Sequence, residues 1–122
     1  MVKIGRPGGH RVVRVQIAGL QSSAQFGDRG YRFAKMYSER RHLHVLFDWT
    51  ELERWDDVGG ASEACRKWHD ASRLMVRSAI VHSYNWKRQA ALLAAVLRTD
   101  RVEVRSWVAA DYAKALVWLR EA

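Results

Sequence analysis

Near its end the chain changes period within one stretch. Val102 and Val104 alternate with Glu103 and Arg105 at the two-residue repeat of a half-exposed strand, and apolar spacing then switches to three and four at Ala109, Tyr112, Ala113, Leu116 and Leu119. A strand running straight into a helix is one β–α unit. It constrains the fold most because the same unit recurs three times upstream.

In the first unit, Val13, Val15 and Ile17 alternate with Arg14, Gln16 and Ala18 between Val12 and Gly19, giving a strand with one apolar side. Ser22 or Ser23 then caps a helix expected from about Ala24 to Arg40, with Phe26, Gly30, Phe33 and Tyr37 on its core stripe. Gly27 and Gly30 weaken its start. His44-Val45-Leu46-Phe47-Asp48-Trp49 is a continuous run, as an interior strand covered on both sides requires. Asp56 or Asp57 caps a second helix read over Val58 to Ser72. Val76 to Tyr84 supplies the third strand, and Asn85 caps a helix carrying Trp86, Ala90, Leu93, Ala94 and Leu97 on one stripe.

Strict β–α alternation with short connections demands parallel strands. Sequential neighbours joined by right-handed crossovers are the simplest order. The expected class is therefore α/β, with four β–α units in a parallel (β–α)4 superhelix and helices mainly on one face. A partly covered second face would carry Arg14, Gln16 and some of Arg77, Glu103 and Arg105, and is a candidate surface for a homo-oligomer.

With 122 residues, 48% of them hydrophobic and 28% charged, the chain suits one globular domain burying roughly two-thirds of its unfolded surface. Residues 11–122 are read as that domain. Gly5-Arg6-Pro7-Gly8-Gly9 marks residues 1–10 as a flexible N-terminal arm rather than a strand or helix. No apolar run approaches the about 20 residues of a membrane span, and no secretory leader opens the chain, so a cytoplasmic location is expected. The single Cys65 falls on the buried stripe Val58, Ala61, Cys65, Trp68 and reads as a structural thiol. The net charge of +8 points toward acidic partners, but basic residues are scattered along the sequence, densest only at Arg40-Arg41 and Lys87-Arg88, without a recognised nucleic-acid motif. A basic nucleic-acid-associated module is the alternative reading.

Three pieces, in this order and spacing, resemble the SpoIIAA-like branch of the STAS (sulfate transporter and anti-sigma-factor antagonist) and SEC14-like bacterial domains. They are Leu46-Phe47-Asp48 followed by Trp55-Asp56, Ala79-Ile80-Val81 leading to Trp86, and Val104-Arg105-Ser106-Trp107 with Ala115-Leu116-Val117-Trp118-Leu119. The resemblance spans about Val12 to Arg120 and implies the same (β–α)4 superhelix. In phosphorylated STAS regulators an Asp-Ser pair opens the second helix, and an anti-sigma kinase phosphorylates that serine. The matching positions hold Asp56 and Asp57, so the acceptor hydroxyl is missing and Asp57 supplies permanent negative charge instead. An ordinary N-cap would do the same.

Trp49, Trp55, Trp86 and Trp107 all fall at or just after expected strand C-terminal ends, which a parallel sheet gathers at one rim. There they would line a cleft for a small apolar ligand or a protein partner, or simply close the core. Asp48, His82 and Ser83 lie near the same rim without a Gly-x-Ser-x-Gly elbow, and adjacent strand residues point to opposite sides, so no catalytic triad is read from them. His42, His44, Cys65 and His69 match no zinc spacing, and the glycine-rich start lacks a phosphate-cradling Gly-Lys-Ser/Thr. The resulting expectation is a non-catalytic domain that needs no cofactor. It would bind its partner or ligand through Trp49, Trp55, Asp57, Trp86 and Trp107.

Overall fold

The computed structural model describes residues 2–5 and 12–121. Five strands form one sheet in sequential order: β1 (Val2–Gly5), β2 (Val12–Ser22), β3 (Leu43–Asp56), β4 (Met75–His82) and β5 (Glu103–Val108). β2 to β5 are parallel, as β–α alternation requires, and β1 pairs antiparallel with β2 from Val2↔Ile17 to Gly5↔Arg14. The segment read as an arm thus contributes a strand at Val2–Gly5, because β2 would otherwise leave its ladder groups unpaired along that edge. The rest of residues 1–10 lies outside the described residues.

Helices α1 (Ser23–Met36), α2 (Ala61–Arg66), α3 (His69–Ser72) and α4 (Lys87–Arg98) pack on one face, and α5 (Tyr112–Arg120) covers part of the other. The alternation in the strands decides which side chains each layer meets. Val13, Val15, Ile17, Val45, Phe47, Trp49 and Ile80 face the first group, while Val12, Leu46, Ala79 and Val81 meet Ala115, Trp118 and Leu119 of α5. Trp68 centres the larger core against Phe26, Phe33 and Phe47, with ring centroids 5.2, 5.6 and 5.0 Å away, and its Nε1 donates to Phe26 O at 3.0 Å.

Several elements differ from their sequence reading. α1 ends at Met36, short of Arg40, and Asn85 lies within a 3₁₀ turn at Tyr84–Trp86 instead of capping α4. β3 continues past Trp49 to Asp56, paired with β2 as far as Ser22↔Asp56, because shifts of register after Gln16 and Gly19 let the two strands extend together and turn Leu52 and Trp55 inward. The second helix is not continuous: a 3₁₀ turn at Val58–Gly60 precedes α2, and the chain breaks at Lys67 and Trp68 before α3. That break packs against Gly30 of α1, where an added Cβ would lie 2.7 Å from Lys67 O. Gly30, a weakness by helix propensity, is what permits the close approach.

Candidate functional site

The C-terminal ends of β2 to β5 form the rim where ligands meet parallel sheets. Trp49 and Trp55 are buried there, 5.6 Å apart edge to face, and both contact Phe26 of α1. Trp49 is fully enclosed, and its Nε1–H has no acceptor among the described residues. Trp86 is partly buried in the 3₁₀ turn leading to α4 and donates from Nε1 to Leu52 O at 3.1 Å, joining that turn to the extension of β3. Trp107 lies on the opposite face of the sheet, 5.2 Å from Trp118 of α5. Alternation along β5 sends it there, so Trp107 shares no cleft with the other three tryptophans.

Asp57 has a positive φ of 50° at the turn that leads into the second helix. It makes no side-chain cap there, contrary to the sequence expectation, and instead accepts the backbone N–H of Ser23 at 3.0 Å, at the start of α1. Ser23 Oγ donates to Asp57 O at 3.0 Å and accepts from Trp55 Nε1 at 2.8 Å. Ser22 and Gln25 complete a capping box on the same helix end. Asp57 therefore places negative charge at the N-terminus of α1, where the macrodipole favours it, and fastens the end of β3 to that helix.

The polar groups nearby do not converge on one reacting centre. Asp48 is buried on the α5 side of the sheet, where it accepts from Arg14 Nε at 3.0 Å, Thr50 N at 3.0 Å and Thr50 Oγ1 at 2.6 Å. Burial opposes the Arg14 charge, but the hydrogen bond and charge of Asp48 outweigh it and raise the guanidinium pKa. Tyr112 is raised by burial and then by Asp48. His82 projects from the other side of the sheet, and its Nδ1 lies 2.7 Å from Ser83 O. Asp48 and His82 are thus separated by the sheet itself.

A cluster with no signature in the sequence joins α3 to the turn before β5. Ser72 is fully buried and its Oγ lies 2.6 Å from Asp100 Oδ2, which in turn is 3.3 Å from His69 Nε2. The carboxylate stands between serine and imidazole, the wrong order for activating the hydroxyl. Burial pushes the Cys65 thiol up to about 12, which keeps it protonated. Among the described residues no three His, Cys, Asp or Glu side chains are grouped to hold a metal ion.

The outer part of the rim is apolar. Leu20, Val58, Tyr84 and Val108 are 60%, 52%, 74% and 40% exposed. Leu20 and Val58 flank the joined ends of β2 and β3, while Val108 ends β5 opposite His82 and Tyr84 follows β4. Trp86 links the two sides through its bond to Leu52.

Comparison with known proteins agrees with this architecture. The model of the SpoIIAA-like family matches residues 12–120. The crystal structure of an uncharacterized protein from the DUF3478 family with a SpoIIAA-like fold, from Shewanella loihica PV-4, superposes with a TM-score of 0.65 at 16% identity, covering 98% of this chain and 92% of that one. At that identity the likeness bears on the fold alone. No curated protein matches the chain significantly.

Proposed function

The chain belongs to the SpoIIAA-like family, and on that premise we propose that it is a non-catalytic cytoplasmic binding domain whose C-terminal rim takes up an apolar segment of a protein partner. The observation that carries this reading is the exposure of four large apolar side chains, Leu20, Val58, Tyr84 and Val108, at or just after the C-terminal ends of adjacent strands. Large apolar side chains held in water on a rigid frame gain free energy when a partner covers them. The frame is rigid because Trp49 and Trp55 fill the core beneath it and the Asp57–Ser23 bonds fix its edge. Asp57 adds fixed negative charge beside Val58, which favours a partner segment carrying a basic residue next to its apolar ones. No helix among the described residues is long and apolar enough to cross a membrane.

Native mass spectrometry of protein purified from a bacterial host tests this reading. A bound polypeptide released on denaturation is expected, and Leu20→Ser with Val58→Ser should abolish its retention while leaving the circular dichroism spectrum unchanged. A retained small molecule insensitive to those substitutions, but lost in Trp86→Ala, would move the binding site inward to Trp49 and Trp86. Turnover of any substrate that depended on Asp48 or His82 would overturn the non-catalytic assignment.

A further inference from the structure

A sequentially ordered parallel sheet returns every helix-to-strand connection to the same end, so residues far apart in sequence become neighbours there. Three adjacent strands are each entered through an arginine two residues ahead: Arg41 before Leu43 of β3, Arg73 before Met75 of β4, and Arg101 before Glu103 of β5. Arg41 and Arg73 both stand two residues before the Leu43↔Met75 pair, whereas Arg101 stands two before Glu103, which pairs with Arg77. With neighbouring strands about 4.8 Å apart, the three form a staggered row spanning roughly 10 Å across the sheet. The connections are tied together, since Leu43 N donates to Leu74 O and Ser72 Oγ contacts Asp100 Oδ2.

All three side chains are exposed, and among the described residues none meets a carboxylate. Arg41 donates only to the carbonyls of Ser38 and Arg40. Of the acids at this end, Asp100 is engaged by Ser72 and His69, Asp70 lies beside His69, and Glu103 and Glu121 lie beside Arg77, leaving Glu39 exposed. The helix macrodipole accounts for the basic residues in the last turns of α4 and α5, Arg98 and Arg120. It does not account for Arg101, which lies beyond the end of α4 with a φ of 64°, in the left-handed region where glycine would be unstrained. His42 has the same conformation, at 60°, one residue after Arg41.

We propose that this arginine row docks the phosphate backbone of a nucleic acid without reading its sequence. A line of planar guanidinium forks suits a string of phosphates, each able to accept two parallel hydrogen bonds. The row lies at the opposite end of the strands from the apolar rim, so the two surfaces can be occupied independently.

The test is fluorescence anisotropy of the full chain with a labelled single-stranded oligodeoxythymidine of about 20 nucleotides across a salt series. Neutralising three phosphates gives a log–log salt slope near −2, a roughly 20-fold loss of affinity between 50 and 200 mM salt. The triple variant Arg41→Gln, Arg73→Gln, Arg101→Gly should bring that slope close to zero and lower the affinity at 50 mM salt at least about tenfold. The equally charged control Lys87→Gln, Arg88→Gln, Lys114→Gln should retain the parent slope, with circular dichroism confirming that both variants fold. An unchanged slope in the first variant, an equal loss in the control, or no binding at low salt would overturn the proposal. So would binding to phosphatidylglycerol vesicles that depended on the row while oligonucleotide binding did not.

Discussion

Asp57 shows how one side chain serves an element other than its own. Its sequence position promised a cap for the following helix, and its carboxylate instead satisfies the Ser23 N–H of α1. Asp57→Ala removes that acceptor while retaining a Cβ at a φ of 50°, and is expected to lower stability by about 1 kcal/mol in urea unfolding. Asp57→Gly removes the same acceptor but relieves a left-handed conformation that costs other residues roughly 1–2 kcal/mol, so it should come out near neutral. If the alanine and glycine variants were equally stable, backbone strain at this position would be refuted. The need for an acid near this turn was legible in the sequence. Its target was not, because Ser23 is brought to Asp57 by the pairing of β2 with β3 and not by sequence proximity.

Element existence was readable throughout the parallel sheet, since each strand and helix writes its own period into the chain. The helices on the larger face and the sequential parallel order of β2 to β5 follow from alternation and short connections. Boundaries were less accessible: β3 runs to Asp56 through its pairing with β2, and the second helix breaks where it meets Gly30. The placement of α5 on the second face was visible only indirectly, through the unbroken apolar run that needed cover on both sides. Trp118 anchors that placement. It is 6% exposed and packs against Trp107 with the rings tilted by 53°, and the guanidinium carbons of Arg77 and Arg105 lie 4.6 and 5.3 Å from its ring centroid. Trp118→Ala should destabilise the domain by about 3–5 kcal/mol, measured by urea unfolding, and Trp118→Phe by distinctly less. A loss below about 1 kcal/mol for the alanine variant would show that α5 is held by something other than this contact.

At the scale of the whole molecule, two weak acids, the buried Cys65 and the half-buried Tyr112, couple stability to alkaline pH. Cys65 rises from its ordinary 9.0 to about 12 on burial, and Tyr112 is raised above its ordinary 10.0. The native state therefore keeps protons that the unfolded chain releases, and stability falls as pH climbs from about 9 toward 12. Cys65→Ala should flatten the lower part of that decline in thermal melts recorded at successive pH values, and an unchanged slope would contradict the assignment. The same scale explains what a linear reading of charge missed. Arg41, Arg73 and Arg101 look scattered in sequence, and the parallel topology gathers them at one end of the sheet. The sequence alone determined the class of fold, the order of the parallel strands and which faces are apolar, because local periodicity and short connections leave few other arrangements. Only the tertiary structure decided which residues become neighbours: Trp107 away from Trp49, Asp57 on Ser23, and arginines from three loops in one row. Those contacts depend on strand register, helix placement and backbone conformation, properties of the assembled sheet that no single segment encodes.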